Sequence, residues 1–299
     1  MSGLIPPIEG PRLGPFPGSL DDIEFLEHLN PDGDITNFED PIRKLHSRIF
    51  RVCIGGNHYA LEVVSEQKNP QLTCSNPFKF NFLTIDELRS WVSGGDMMPD
   101  KILQYSLDPF YAECRAFGLL VEKRVDHKLA VRCHGYTFLP ENIEQKIEKK
   151  FGFNDWGRQP KNERRQLLRA IVKDYIGSKS FHGRIRLSAI KLKLEELNSL
   201  GIFNMNIQET SYRDGRLFDF SVSITTPHPW LCPDLRSNEH IFRNCSDDQR
   251  ALDKMADNIR REKIEKLKEL GDARWSGVLR PCSHVEGYGG TSQRCRKLG

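Results

Sequence analysis

A chain of 299 residues with 38% apolar and 9% aromatic side chains can bury a substantial core, which excludes a disulfide-stapled miniprotein and a disordered polymer. Its formal net charge is only +3, from 44 basic and 41 acidic residues, so no whole-molecule field gathers nucleic acid or an anionic membrane. The sequence has neither a run of roughly 18–20 apolar residues nor a secretory leader pattern, and its eight cysteines include no Cys-x-x-Cys pair, which points to reduced thiols inside the cell.

Residues 1–20 hold Pro6, Pro7, Pro11, Pro15 and Pro17 and read as an extended arm, with packed structure expected to begin near Asp21. Asp22–Leu29 suggests a short strand or opening turn, and Asn30–Lys44 an inserted loop. Arg48–Ile54 and His58–Val64 are two β-rich runs joined by Gly55-Gly56-Asn57, a hairpin signal. In the mixed segment Ser65–Pro109, Thr84–Ser93 reads as a helical stretch between a Thr cap and a Gly pair. Phe110–Glu122 is helical in pattern and carries Glu113 near its start. Leu129–Leu139 reads as a bent strand or strand pair, Glu141–Lys150 as a charged helix and Leu168–Ile176 as an apolar strand. His134, in the bent strand, reads as a satisfied core histidine and not as a ligand.

Leu187, Ile190, Leu194 and Leu197 form a stripe on a helix over Gly183–Leu200, and Gly201 stops it. Asp214-Gly215 turns a second hairpin. Ser246-Asp-Asp-Gln249 resembles a capping box that opens a charged helix running to Leu270, stopped by Gly271. Arg260-Arg-Glu-Lys263 interrupts that helix's apolar stripe, so helix and tail are expected to dock loosely or to serve a partner, and not to complete the core. In the tail, Cys282, His284 and Cys295 lack a fourth metal ligand. Arg274, Arg280, Arg294, Arg296 and Lys297, with Trp275 and Tyr288, lack a periodic face for nucleic acid.

The segments Tyr59–Val64, Glu113–Gly118, Ala130–Tyr136, Ile171–Tyr175, Gly201–Asn206 and Asp219–His228, with the Pro-rich opening, resemble a fungal family labelled kinetochore Sim4 complex subunit FTA2. The resemblance covers roughly residues 5–236 and implies an α+β, two-lobed protein-kinase-like fold with an antiparallel N-lobe sheet and a truncated helical C-lobe. Taken with the composition of the chain ends, it gives five expected parts: an arm, 1–20; N-lobe and hinge with insertions, 21–176; a truncated C-lobe with catalytic-loop remnants, 177–236; a charged helix, 237–271; and a flexible basic tail, 272–299.

By that resemblance the functional positions of a kinase are degenerate. Glu62 stands at the phosphate-binding strand lysine, while its helix partner, Glu113, is kept, so that two carboxylates face each other where a cation and an anion should pair. Asn204 and Asn206 stand at the catalytic-loop His and Asp, and Ser211 at the Mg²⁺-binding Asn. Only Asp219, in Asp219-Phe220-Ser221, survives, either as a residual metal site or as a local Asx turn. The hinge would be Ile171, Val172, Lys173, Asp174 and Tyr175. Asn206 cannot take up a proton at neutral pH. Two carboxylates about 4 Å from a phosphate would each cost roughly 4 kcal/mol at an effective dielectric near 20.

No phosphate-covering Gly loop precedes the hairpin, and the 80 residues after Asp219 are too few for a full substrate lobe. The expectation is a non-catalytic scaffold without cofactor, whose partners are other protein subunits, by resemblance those of a nuclear kinetochore complex, with no membrane or nucleic-acid role. The alternative is an atypical ATP-dependent kinase or phosphotransferase holding metal through Asp219 with a carboxylate such as Glu62 or Glu113.

Overall fold

The computed structural model describes residues 10–30, 47–64, 105–106, 108–153, 156, 167–177, 187–205, 207–213 and 215–278, with side chains to Glu269. The stretch Thr84–Ser93, Asn206, Asp214 and the tail residues Cys282, His284 and Cys295 lie outside them.

Strands β2 (Ser47–Ile54) and β3 (Asn57–Val64) pair along their whole length, from Ser47 opposite Val64 to Ile54 opposite Asn57. Gly55 and Gly56 supply the two positive φ angles, +54° and +78°, that a tight hairpin of matching twist requires. With β1 (Glu24–His28), β4 (Cys133–Leu139) and β5 (Leu168–Asp174) they form an antiparallel five-stranded sheet in the order β1-β2-β3-β5-β4. Alternation decides its faces. Phe50, Val52, Leu61, Val63, Ala170 and Val172 meet Ile143 and Ile147, four residues apart on helix α3 (Glu141–Phe151), in one apolar cluster. Gly152, at φ +76°, ends that helix in a left-handed cap.

Helix α1 (Pro109–Glu122) is central: Pro109 to Leu120 are all buried, including Glu113 and Arg115. Asp108 caps it, accepting the Phe110 N–H at 2.9 Å, and Pro109 fills the first turn, where a missing N–H costs nothing. Beyond it come α2 (Asp126–Leu129), α4 (Leu187–Ser199) and the short pairs β6 (Ile202–Phe203) with β9 (Ile224–Thr225) and β7 (Tyr212–Arg213) with β8 (Arg216–Leu217).

Two expectations about the chain ends need correction. Packed structure begins well before Asp21, because the arm lies against the body. Leu13 is buried and donates its N–H to the Cys114 carbonyl at 3.0 Å, and the Phe16 N–H reaches the Tyr136 carbonyl at 2.8 Å. The arm approaches so closely that Gly118 and Gly135 have no room for a side chain; a Cβ on Gly118 would lie 2.4 Å from the Arg12 carbonyl carbon.

The last helix, α5, spans Asn238–Val278, so Ser246 does not open it and Gly271 does not end it. The N-terminal hydroxyl partner is Ser237, which receives the His240 N–H at 3.4 Å, while the Ser246 hydroxyl donates back to the Phe242 carbonyl within the helix. The capping-box pattern was misleading because Asp248 caps a different element. Its two carboxylate oxygens accept the N–H groups of Asn204 and Met205, each at 2.8 Å. With Asn244, Leu252 and Met255 also buried, the first half of α5 is part of the core and is not a loosely docked appendage. The chain divides into two compact units, Met1–Met255 and Ala256–Gly299.

Candidate functional site

Because β3 runs antiparallel to β5 with Glu62 opposite Ile171 and Ala60 opposite Lys173, Glu62 and Lys173 are diagonal neighbours on the sheet face away from the apolar cluster. The lysine Nζ lies 2.6 Å from Glu62 Oε2, 2.7 and 2.9 Å from the two oxygens of Glu113, and 2.9 Å from the Phe218 carbonyl. It also sits 5.1 Å from the centre of the Phe117 ring. All three charged side chains are buried, at 7%, 1% and 4% exposure for Glu62, Glu113 and Lys173.

The expectation of two carboxylates facing each other without a cation is therefore corrected: the neighbouring strand supplies one, from within the segment read as a hinge. Burial pushes Glu113 up to about 8, and Glu62 and Asp219 add to it against the pull of Lys173. Burial also works against the lysine's charge, but Glu113 and Glu62 outweigh it and hold the ammonium well above its ordinary value.

The loop after Phe218 closes the cluster. Glu113 Oε1 accepts the Phe220 N–H at 2.9 Å, and the Asn204 amide donates to the Asp219 carbonyl at 2.6 Å. Asp219 Oδ1 accepts the Ser221 N–H at 2.9 Å, two residues on, which is the geometry of an Asx turn. Ser211, buried, receives the Phe218 N–H on its carbonyl at 3.2 Å. Glu62, Glu113, Asn204, Ser211 and Asp219 thus converge on one loop through chains of hydrogen bonds. Of the hinge residues, Ile171 to Asp174 lie in β5 and Tyr175 follows it, its ring under the Arg51 guanidinium at 4.7 Å. His134, half-buried, pairs with Asp174 at 2.6 Å.

A second polar knot ties α1 to β9 and the residues that follow it. Buried Arg115 donates to the carbonyls of Thr225, at 2.8 Å, and Pro227. His228 lies 2.9 Å from the Ser106 carbonyl through Nε2 and accepts the Trp230 N–H at 3.1 Å through Nδ1; burial drives it down to about 3, so it is neutral with its proton on Nε2. Burial likewise lifts Asp248 to about 6, against the two backbone N–H groups that it caps. Among the described residues, no group of three or more His, Cys, Asp or Glu side chains is placed to hold a metal ion, and no helix is long and apolar enough to cross a membrane.

Residues 4–224 match the family described as Kinetochore Sim4 complex subunit FTA2, well over half of the chain. The chain belongs to that family. No curated protein and no solved structure matches it. Every member of the Lys173 cluster lies inside the stretch shared with the FTA2 family, whereas Asp248 and the rest of α5 lie beyond it.

Reading the sequence of this FTA2-family chain missed Lys173, Arg115, His228 and Asp248 as members of buried polar clusters. A signal existed for the first: a single lysine inside the apolar run Ile171-Val172-Lys173 of a central strand needs a buried anion. Nothing local marks the other three, whose partners lie 110, 122 and 44 residues away for the Arg115–Thr225, His228–Ser106 and Asp248–Asn204 contacts.

Proposed function

We propose that this chain is a non-catalytic, kinase-like scaffold that acts as a protein-binding subunit of a kinetochore complex. Family membership supports the kinetochore assignment, and with it protein partners and a nuclear, chromosome-associated place of work. The antiparallel sheet with order β1-β2-β3-β5-β4, the Glu113 helix against its polar face and the loop at Asp219 support the two-lobed kinase-like reading.

One observation carries the absence of catalysis. A lysine ammonium has three donors and no more. Those of Lys173 point at Glu62, Glu113 and the Phe218 carbonyl, so none is left for a phosphate oxygen. The cluster works as a clamp, joining β3, β5, α1 and the 218–221 loop. Asp219, engaged by Ser221, holds the turn in place.

Thermal-shift titration of the full chain with ATP, with and without Mg²⁺, and a radiolabel transfer assay test the reading. No shift and no transfer are expected. Magnesium-dependent binding together with autophosphorylation that disappears in Asp219→Ala would overturn it in favour of an atypical phosphotransferase. Co-precipitation from native cells should recover other kinetochore subunits.

A further inference from the structure

Ala256–Gly299 forms its own compact unit, and within it helix α5 shows a segregation of charge that the core does not require. At roughly 100° per residue, Ile259, Arg260, Lys263, Ile264, Lys266 and Leu267 share one face, while Asp257, Glu262, Glu265 and Glu269 lie on the other, with Arg261 and Lys268. Between Asp257 and Glu269 the first face carries three cations; Arg260, at its edge, pairs along the helix with Asp257 at 2.9 Å, while Lys263 and Lys266 have no carboxylate on their own face. Its apolar side chains are not spent on packing: Ile264 is 52% and Leu267 59% exposed, and Ile259 is only partly covered. A two-turn apolar stripe threaded with basic groups, left in water, is an unfinished helix–helix contact.

We propose that this face docks an amphipathic helix of a partner protein whose apolar stripe is bordered by glutamate or aspartate. Charge complementarity selects that occupant. Lys263 lies in the middle of the apolar stripe, between Ile259 and Leu267; a facing helix can set a carboxylate against it, whereas an acyl layer would have to bury it unpaired. Nucleic acid would use the cations but leave Ile264 and Leu267 without apolar partners, and the local balance, five basic against four acidic side chains over 257–269, is too even to attract a phosphate backbone. A second copy of the same face would set Lys263 and Lys266 against their own kind. This surface does not depend on whether the rest of the chain transfers phosphate.

The probe is a synthetic peptide of about three heptads, with leucine on one face and glutamate on its flanks, titrated against the full-length chain by fluorescence anisotropy. Binding should weaken with added salt and with a glutamine-flanked version of the peptide. It should fall by about tenfold or more in the combined Arg260→Glu, Lys263→Glu, Lys266→Glu variant and in Ile264→Asp with Leu267→Asp. Melting of the body should stay unchanged in both variants, which separates a lost surface from a lost fold. Failure of the peptide to bind the parent, or equal binding by the charge-reversed variant, overturns the proposal. So does a parent that ignores the peptide but binds duplex DNA or anionic vesicles through these residues, or that sediments as a dimer which the variants dissolve. The ATP assays are indifferent to all of these outcomes.

Discussion

Lys173 shows how a single side chain can reverse the meaning of its neighbours. Glu62 and Glu113 without a cation would repel each other in a dry site, and replacing Glu62 by lysine would relieve the strain and raise stability. With Lys173 already 2.6 Å from Glu62 and 2.7 Å from Glu113, the same substitution sets two ammonium groups side by side and removes one of the two carboxylates that hold Lys173. Breaking a buried ion pair from one side costs about 3–5 kcal/mol, because an uncompensated charge stays behind. Glu62→Lys is therefore expected to lower the melting temperature clearly, and Lys173→Met to do the same by stranding two acids. A thermal melt of Glu62→Lys at or above that of the parent would mean that Lys173 does not neutralise the pair.

At the level of elements, the described part of the arm, residues 10–20, carries three of its five prolines and behaves as part of the sheet edge. Phe16 and Gly14 bracket Tyr136 with hydrogen bonds of 2.8 and 3.1 Å, covering the free edge of β4. The same crossing explains a glycine inside α1. Alanine at Gly118 would gain roughly 1 kcal/mol of helix propensity in an open site, but its Cβ would meet the arm backbone at 2.4–2.9 Å, and backbone cannot rotate aside as a side chain can. The clash decides the sign: Gly118→Ala should destabilise by about 1–3 kcal/mol and speed proteolysis ahead of Asp21. Urea melts with a raised midpoint would show instead that the arm yields freely.

For the whole molecule, the question is where the folded body ends. Cutting after Arg236 removes Asp248, which satisfies two buried N–H groups, together with the buried side chains of Leu252 and Met255. Each stranded donor costs about 1–3 kcal/mol and each lost apolar side chain about 1.5–3 kcal/mol, a sum comparable to the stability of a typical domain. A chain ending at Arg236 is expected to melt without cooperativity and bind a hydrophobic dye. One ending at Met255 should keep a sharp transition. A cooperative melt of the shorter chain would place all of α5 outside the core.

Periodicity and turn chemistry made most elements legible. The Gly55-Gly56 hairpin, the stripe of Leu187 to Leu197 and the Glu113 helix follow from local rules that each residue obeys with its near neighbours. The family resemblance was legible too, since it rests on short segments read one at a time. What tertiary structure decided was partnership. The strand register chose Lys173 as the partner of Glu62, and the fold carried Asp248 to a loop 44 residues earlier in the chain, so that a pattern typical of a helix start became the cap of another element. Such choices are absent from local sequence because a buried charge states only that it needs a partner; which one it receives depends on the chain segments that long-range packing brings within about 3 Å.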